Sequence, residues 1–252
     1  MDLRGKRALV TGGAVRIGRA IVETLAAEGC DVVIHYWRSA AAAQRLARAI
    51  RARGGQAWTA RSRLTGAADC ERLIAGAARR AGGLEILINN AAVFRKFDLA
   101  ASTERRLLAE LRVNALAPIL LTRAFARLRR APASGAAPAA KVVNLLDRRV
   151  AGVEAGCLPY LLSKKLLAEF TRVAALELAP HIAVNGVAPG PILPPPGGPR
   201  RIADRAGRRP LAAPLTPRDV AAAVVYLLQS DALTGQILFV DGGQHLRPPP
   251  LP

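Results

Sequence analysis

Short runs of apolar, β-branched residues alternate with longer segments of helical periodicity, and this alternation constrains the fold more than any other feature of the chain. Strands that are apolar throughout are buried on both faces, and strands separated by helices pair in parallel through right-handed crossovers. The pattern therefore predicts a doubly wound α/β (Rossmann) fold with a parallel sheet of about seven strands, in a single domain over residues 1–252.

The predicted strands are residues 7–10, 31–35, 56–60, 84–88, 141–145, 182–187 and 236–240. The predicted helices are residues 17–28, 40–53, 67–81, 104–130, 159–178 and 217–230. One irregular insertion, residues 190–216, is rich in Pro, Gly and Arg. A loop of this length in a compact domain predicts a substrate loop, and a disordered surface segment is the alternative.

A formal net charge of +19 makes a nucleic-acid partner the first hypothesis to weigh. The basic residues, however, are mostly Arg and are spread over segments predicted as separate helices and loops, without a basic tract interleaved with aromatic residues. This pattern favours solvated faces over a nucleic-acid groove. The positive field would still attract an anionic cofactor or substrate.

The cysteines and histidines are dispersed, without the spacing of a disulfide framework or a metal site, so no bound metal is expected. They are Cys30, Cys70, Cys157, His35, His181 and His245. No apolar run is long enough to span a membrane, and the first residues pass directly into a strand pattern without a signal peptide. We therefore expect a cytoplasmic protein without a membrane partner.

The first predicted strand leads into a glycine-rich turn, VTGGAVRIG, in which Gly12, Gly13 and Gly18 precede an amphipathic helix. Glycines allow a tight turn and a close backbone approach, and the free amides of the helix N-terminus favour a pyrophosphate. A glycine-rich turn at this position predicts a dinucleotide-binding site.

The residues after the second predicted strand indicate which dinucleotide binds. The stretch HYWRSA has no carboxylate to hold the ribose 2′-hydroxyl of NAD, but Arg38 and Ser39 offer a cation and a hydroxyl to a 2′-phosphate. Arg16 in the glycine turn adds a second cation. NADP is therefore predicted over NAD; the alternative is that Ser39 only caps the next helix and Arg38 is an ordinary surface residue.

A third pattern lies between residues 144 and 165, where Asp147 ends an apolar run and Tyr160 and Lys164 follow. If Pro159 begins a helix, Tyr160 and Lys164 lie one turn apart on the same face, with the ammonium beneath the phenol. This arrangement suggests a proton donor. The spacing alone favours two ordinary surface residues, because Tyr and Lys four residues apart recur by chance.

Taken in order, these patterns resemble the short-chain dehydrogenase/reductase family over nearly the whole chain. The matching segments are TGGAVRIG (11–18), NNAA (89–92), Asn114 in RVNALAP, Tyr160 and Lys164 in YLLSK, VNGVAPG (184–190) and TGQILFVDGG (234–243). Within the family the chain most resembles the pteridine reductases, including their bacterial dihydromonapterin- or dihydrofolate-reducing relatives. That closer resemblance rests on Arg16, on HYWRSA, and on Asp147 where most members have a catalytic Ser.

The resemblance implies that NADPH transfers hydride to a C=N bond of a pterin, such as a dihydropterin or dihydrofolate. It assigns Tyr160 as the proton donor and Asp147 as its partner. Lys164 would hydrogen-bond the nicotinamide ribose and lower the pKa of the phenol, and Asn114 would complete a proton relay through water. It also implies a homotetramer built through the two long helices, 104–130 and 159–178.

The implied substrate contacts are Arg16, Phe94, Asp147 and Tyr160, with Phe94 stacking the flat pterin against the nicotinamide; a core aromatic residue is the alternative reading of Phe94. The implied cofactor contacts are Gly12, Arg16, Ile17, Gly18, His35, Tyr36, Arg38, Ser39, Leu64, Asn90, Ala91, Tyr160, Lys164, Pro189 and Gly190.

The chain departs from the family pattern at two places that bear on function. Arg63 precedes Leu64 where many relatives have an Asp beside the adenine, so an acceptor for the adenine amine is lost. Arg148 and Arg149 follow Asp147 directly, and an ion pair with either would leave that carboxylate without a proton to donate.

Two other functions compete with pterin reduction. One is an NADPH-dependent carbonyl reductase of the 3-oxoacyl type, which Asp147 in place of Ser disfavours. The other is a catalytically weak NADP-binding or nucleic-acid-binding protein, which the intact Asn114, Tyr160 and Lys164 disfavour.

Overall fold

The structure is a computed structural model that describes residues 1–128, 138–194, 209–212 and 214–247. Its core is a sheet of seven parallel strands in the order β3-β2-β1-β4-β5-β6-β7, which confirms the predicted fold class. The strands are β1 (Arg7–Val10), β2 (Asp31–Tyr36), β3 (Ala57–Arg61), β4 (Ile86–Asn89), β5 (Ala140–Leu145), β6 (Ile182–Pro189) and β7 (Ile237–Val240).

Helices cover both faces of the sheet, as an apolar parallel sheet requires. They are α1 (Arg16–Ala27), α2 (Ala40–Arg51), α3 (Ala67–Ala81), α4 (Glu104–Leu111), α5 (Ala117–Leu128), α6 (Leu158–Glu177) and α7 (Pro217–Gln229). Helices α1, α2 and α7 supply one buried apolar cluster, and α3, α5 and α6 supply a second cluster on the opposite face. No helix in the described ranges is long and apolar enough to cross a membrane.

Two predicted elements differ from the structure. The single helix predicted for residues 104–130 is divided into α4 and α5 by a π-helical turn, Arg112–Leu116, and its last two residues lie outside the described residues. A π turn inserts one residue into a continuous helix, so it leaves the apolar pattern almost unchanged. Most of the predicted substrate loop, residues 190–216, also lies outside the described residues.

The strand order places the predicted site residues along one edge of the sheet. Chain connectivity reverses direction between β1 and β4, which are neighbours in the sheet. Ligands of doubly wound proteins bind in the crevice outside the carboxyl ends of the strands at such a reversal. The glycine-rich turn follows β1, Asn90 and Ala91 follow β4, and Asp147 follows β5.

Candidate active site

The three residues of the predicted proton-donating group meet at the carboxyl end of β5. Asp147 begins a short 3₁₀ turn, Arg148–Ala151, while Tyr160 and Lys164 lie one turn apart on α6. The Tyr160 hydroxyl donates a hydrogen bond to Asp147 Oδ2 at 3.0 Å. Lys164 is buried; its Nζ donates to the Leu145 carbonyl at 2.6 Å and lies 5.9 Å from the centroid of the Tyr160 ring. The spacing thus produces the predicted juxtaposition of ammonium and phenol.

Asp147 also forms the ion pair that its arginine neighbours suggest. Arg149 Nη1 lies 3.1 Å from both carboxylate oxygens, and the Arg149 backbone amide donates to Oδ1 at 2.9 Å. The other Nη of Arg149 contacts Glu154 at 3.0 Å, and Arg148 contacts the same glutamate at 2.6 Å. A carboxylate paired in this way accepts hydrogen bonds and has no proton to give. Asp147 therefore contacts the phenol as an acceptor.

The protonation of the phenol and the ammonium follows from their burial. Burial raises the pKa of Tyr160 well above 10, and the nearby Asp147 carboxylate raises it further. Desolvation and the carboxylate thus set the direction of the net shift, and the expectation that Lys164 lowers the phenol pKa stays a prediction. Burial lowers the pKa of Lys164 itself to about 8, against the opposing effect of Asp147 and Glu110. Tyr160 therefore holds its proton throughout the neutral range.

Phe94 lies over this group. Its ring meets the Tyr160 ring edge to face at 4.6 Å between centroids, and the Arg149 guanidinium lies 5.6 Å from its centroid. Phe94 is 42% exposed, so it is not the core aromatic residue of the alternative reading. An exposed ring beside the phenol offers a stacking surface to a flat ligand.

Asn114 lies in the π turn between α4 and α5, and its amide is engaged on both sides. Its Oδ1 accepts from the Val93 backbone amide at 2.8 Å, and its Nδ2 donates to the Val93 carbonyl at 2.8 Å. The same Nδ2 lies 3.0 Å from Ser163 Oγ and 3.0 Å from Glu110 Oε2. Asn114 thus holds the segment that carries Phe94, and the relay through water stays a prediction.

Sequence reasoning did not identify Glu110 and Glu154 as parts of the site. Glu154 could have been found from its position a few residues after two arginines in a segment that follows a strand. Glu110 stands four residues before Asn114 in a helical pattern, so both lie on one helix face. A carboxylate on the same helix face as the predicted catalytic residue Asn114 is the sequence signal that could have identified Glu110.

The glycine-rich turn has the backbone that its sequence predicts. Gly12 has φ +62°, and a Cβ added to Gly18 would lie 2.3 Å from the Gly12 carbonyl oxygen, so Gly18 admits no side chain. Arg16 has φ +57°, a region that residues other than glycine rarely adopt. Asn90 ties the turn to β4, since its Nδ2 donates to the carbonyls of Thr11 at 2.8 Å and Gly12 at 3.2 Å.

His35 is buried beneath this turn. The Gly12 amide donates to His35 Nδ1 at 3.1 Å, and His35 Nε2 lies 3.0 Å from the Ser62 carbonyl oxygen. This pattern requires the tautomer with hydrogen on Nε2. Burial lowers the pKa of His35 to about 4, although the bond to Ser62 opposes the shift, so the ring is neutral. The structure thus places His35 where it supports the turn from below.

Cations gather at the ends of β2 and β3, where a 2′-phosphate is predicted. The guanidinium of Arg61 lies 4.7 Å and that of Arg63 5.8 Å from the ring centroid of Trp37, which directly precedes Arg38. Within the described parts of the chain, no carboxylate forms an ion pair with Arg38, Arg61 or Arg63. Ser39 occupies the N-cap position of α2, but its side chain makes no capping hydrogen bond, so its hydroxyl is available to a ligand.

The remaining predicted cofactor contacts lie at or just beyond the carboxyl ends of the strands. Ile17 and Tyr36 are half-buried, and Ala91 donates its amide to Thr11 Oγ1 at 3.0 Å. Leu64 is buried with φ +55°. Pro189 ends β6, and a Cβ added to Gly190 would approach Asp241 Cβ to 2.9 Å. The Arg16 guanidinium donates to the Pro194 carbonyl at 2.8 Å.

Comparisons with known proteins show which family and which solved structures the chain is similar to. The profile of a family described as enoyl-(acyl carrier protein) reductase matches residues 13–245. Pteridine reductase 1 of Leishmania tarentolae is 32% identical over 95% of this chain and 96% of its own length. A 3-oxoacyl-[acyl-carrier-protein] reductase of a Synechocystis species is 31% identical over 96% of this chain and 97% of its own length.

Among solved structures, FolM alternative dihydrofolate reductase 1 of Brucella canis, complexed with NADP, is similar to this chain with a TM-score of 0.88. The two chains are 34% identical, and the likeness covers 98% of this chain and 97% of the other. Both the fold and the level of identity thus relate this chain to reductases with more than one kind of substrate.

Proposed function

The chain belongs to the short-chain dehydrogenase/reductase family, and from this premise we propose that it is an NADPH-dependent reductase of a pterin C=N bond, with a dihydropterin or dihydrofolate as substrate. Family membership makes it an oxidoreductase, and the pterin is the proposed part. One observation carries the proposal: the hydroxyl of Tyr160 contacts a carboxylate, Asp147, and not a serine hydroxyl. Phe94 beside this pair supplies a surface for a flat ring.

The described residues fit NADPH. Gly12 and Gly18 allow the backbone to turn tightly, and the N-cap residue of α1, Val15, makes no side-chain hydrogen bond that would compete with a phosphate for the helix amides. Arg38 and Ser39 would hold the 2′-phosphate as a cation and a hydroxyl without competing partners. Bound NADPH would supply the hydride, and the protein's own residues would align the substrate and supply the proton.

Tyr160 is the proposed proton donor to the ring nitrogen. Its hydroxyl is protonated at neutral pH because burial and Asp147 raise the pKa of the phenol. In the free site Asp147 holds that hydroxyl by accepting its hydrogen bond, and Arg149 fixes the carboxylate. The same hydrogen would turn from the carboxylate to the ring nitrogen when the proton is transferred. When Tyr160 releases its proton, the ammonium of Lys164 on the same helix face stabilises the negative oxygen electrostatically.

Reduction of a ketone of the 3-oxoacyl type is the second candidate. The similar 3-oxoacyl-[acyl-carrier-protein] reductase and the excess of basic residues, which suits an acidic carrier, favour it. Asp147 disfavours it, because a paired carboxylate cannot donate a hydrogen bond to a ketone oxygen.

Oxidation of NADPH, followed by absorbance with dihydrobiopterin, dihydrofolate and a panel of ketones, tests the proposal in the wild type and in Asp147→Ser. We expect pterin turnover in the wild type and a loss of at least about tenfold in the variant, corresponding to one charge-assisted hydrogen bond. Asp2→Ser removes an exposed carboxylate and serves as the control. Ketone turnover without pterin turnover in the wild type would refute the proposal.

We further propose that the protein assembles as a homotetramer through α4, α5 and α6. One stripe of α6 exposes apolar side chains: Leu162, Leu166, Val173 and Leu176. Helices α4 and α5 add Leu108 and Leu128, which are also exposed. An exposed apolar stripe of this kind is typical of a subunit interface, and a second copy of the same chain is the proposed occupant.

A further inference from the structure

Glu110 is a carboxylate buried on α4, close to the site but outside the predicted catalytic group. Its side chain is 0% exposed. Oε2 accepts a hydrogen bond from Asn114 Nδ2 at 3.0 Å, whereas Oε1 has no well-aligned hydrogen bond from the described residues, and the backbone amide of Arg95 adds only a weaker contact with the carboxylate. The nearest cation is Arg95, whose Nη1 lies 3.7 Å from Oε1 on a half-exposed side chain. A buried charge with so little compensation destabilises a fold, so its presence requires another explanation.

The amide of Asn114 connects Glu110 to the helix that carries Lys164. Asn114 Nδ2 lies within hydrogen-bond distance of both Glu110 Oε2 and Ser163 Oγ, each at 3.0 Å. Ser163 directly precedes Lys164 on α6, and its hydroxyl donates to the Tyr160 carbonyl at 2.7 Å. Glu110 therefore lies one amide away from the turn of α6 that positions the proton donor.

The two carboxylates that act on the buried ammonium of Lys164 are Asp147 and Glu110. The charge of Asp147 is shared with Arg149, which contacts both of its oxygens, and with the phenol. Glu110 has only the looser contact with Arg95. Asp147 has the larger effect on Lys164, and Glu110 adds a second counter-charge that no guanidinium of the described residues contacts as closely.

We propose that Glu110 is a positioning residue whose buried carboxylate keeps the ammonium of Lys164 charged while Tyr160 acts as the proton donor. This inference rests on the function proposed above, since it gives Lys164 a role in that reaction. Burial raises the pKa of Glu110, and the contacts with Asn114 and Arg95 oppose that rise and favour its charged form. Burial would otherwise favour a neutral amine at Lys164, since it already lowers the Lys164 pKa to about 8.

Nuclear magnetic resonance can measure the pKa of Lys164 without any turnover. The chain has five lysines, so a sample labelled with ¹³C at the lysine ε-carbons gives few signals, and the one missing in Lys164→Met belongs to Lys164. We expect the pKa of Lys164 to fall by at least about half a unit in Glu110→Gln, since loss of a nearby negative charge disfavours the ammonium. The glutamine keeps an oxygen acceptor for Asn114.

Two further variants make the measurement decisive. Glu104→Gln removes an exposed carboxylate from the same helix and should leave the Lys164 pKa unchanged. Glu110→Leu also removes the buried charge at similar volume, so it should shift the Lys164 pKa like Glu110→Gln even where the glutamine variant folds poorly. An unchanged Lys164 pKa in a folded charge-free variant overturns the inference.

Activity gives a second readout. In Glu110→Gln the alkaline limb of kcat/KM should move to lower pH, because Lys164 loses its proton earlier. A purely structural role would lower activity alike at every pH, and that result would count against the inference. If no pterin is reduced at all, the proposed function fails, while the pKa of Lys164 still tests the role of Glu110.

Discussion

Replacing Arg149 with Met would remove the cation that holds two carboxylates at the candidate site. The side chains of Arg149 and Asp147 are 13% and 15% exposed, and that of Glu154 is 33% exposed. Breaking a buried ion pair from one side costs about 3–5 kcal/mol, because the remaining charge is left uncompensated. The partial exposure of Glu154 places the expected loss at the lower end, about 3 kcal/mol. For a chain of 252 residues this corresponds to a fall in Tm of about 6 °C.

The loss of stability in Arg149→Met should depend on pH, and the pKa of Glu154 determines whether it grows or shrinks as the pH falls. Burial alone would raise the pKa of Glu154, but the hydrogen bond and charge of Arg149, with help from Arg148, lower it on balance. A carboxylate with a lowered folded pKa stabilises the fold above its unfolded pKa of about 4.3, and loses that contribution as pH falls through the folded value. The Tm difference between wild type and Arg149→Met should therefore be full at pH 7 and narrow below about pH 4.3.

Thermal melts followed by circular dichroism between about pH 3 and pH 8 measure both quantities. Arg172→Met is the matched control, because Arg172 pairs with Glu169 on the exposed face of α6, where a pair contributes about 0.5 kcal/mol or less. Its Tm should stay within about 1 °C of the wild type. If the two variants lost equal stability at pH 7, or the deficit of Arg149→Met were constant with pH, the ion pairs would not hold the site as described.

Three further predictions concern ligands and assembly. Arg38→Ala should raise the KM for NADPH about 10- to 100-fold, which corresponds to the loss of one charge-assisted hydrogen bond, and it should leave the KM for NADH unchanged. Steady-state kinetics with both cofactors measures this, and an equal rise in both KM values would contradict a 2′-phosphate site at Arg38. Phe94→Ala should raise the KM for a pterin about 3- to 10-fold through the lost stacking, whereas an unchanged KM would place the ring elsewhere. Leu166→Arg should dissociate the tetramer in sedimentation velocity, and a wild type that sediments as a monomer would contradict the proposed interface.

The sheet was predictable because buried parallel strands have a simple and recognisable sequence pattern. Each strand is a short β-branched run with no polar alternation, as in Asp31–Tyr36 and Ile182–Pro189, and these runs occur between helical patterns. The π turn at Arg112–Leu116, in contrast, has no sequence pattern that would have predicted it. It changes the helix geometry over one turn only, and the apolar residues on either side keep nearly the same spacing.

The sequence predicted which residues form the candidate site better than it predicted which of them contact one another. Spacing placed Tyr160 and Lys164 on one helix face, but it could not decide which of Arg148 and Arg149 reaches Asp147. The 3₁₀ turn decides this, because it brings the backbone amide and guanidinium of Arg149 to the carboxylate, while Arg148 contacts Glu154. His35 shows the same limit, since its place at the end of β2 did not reveal that its ring supports the glycine turn from below.

The ion pair with Arg149 changes what Asp147 contributes, and this change is consistent with the proposed substrate class. A serine hydroxyl can donate a hydrogen bond to a ketone oxygen, whereas a carboxylate paired with a guanidinium can only accept. A ketone at this site would face the negative charge of Asp147 without a hydrogen to share. A dihydropterin carries N–H donors on the same ring system as its reducible C=N bond, and these could donate to Asp147 while Tyr160 supplies the proton. Under the proposed function, the pairing that prevents Asp147 from acting as an acid would therefore make it selective for a ring with N–H donors.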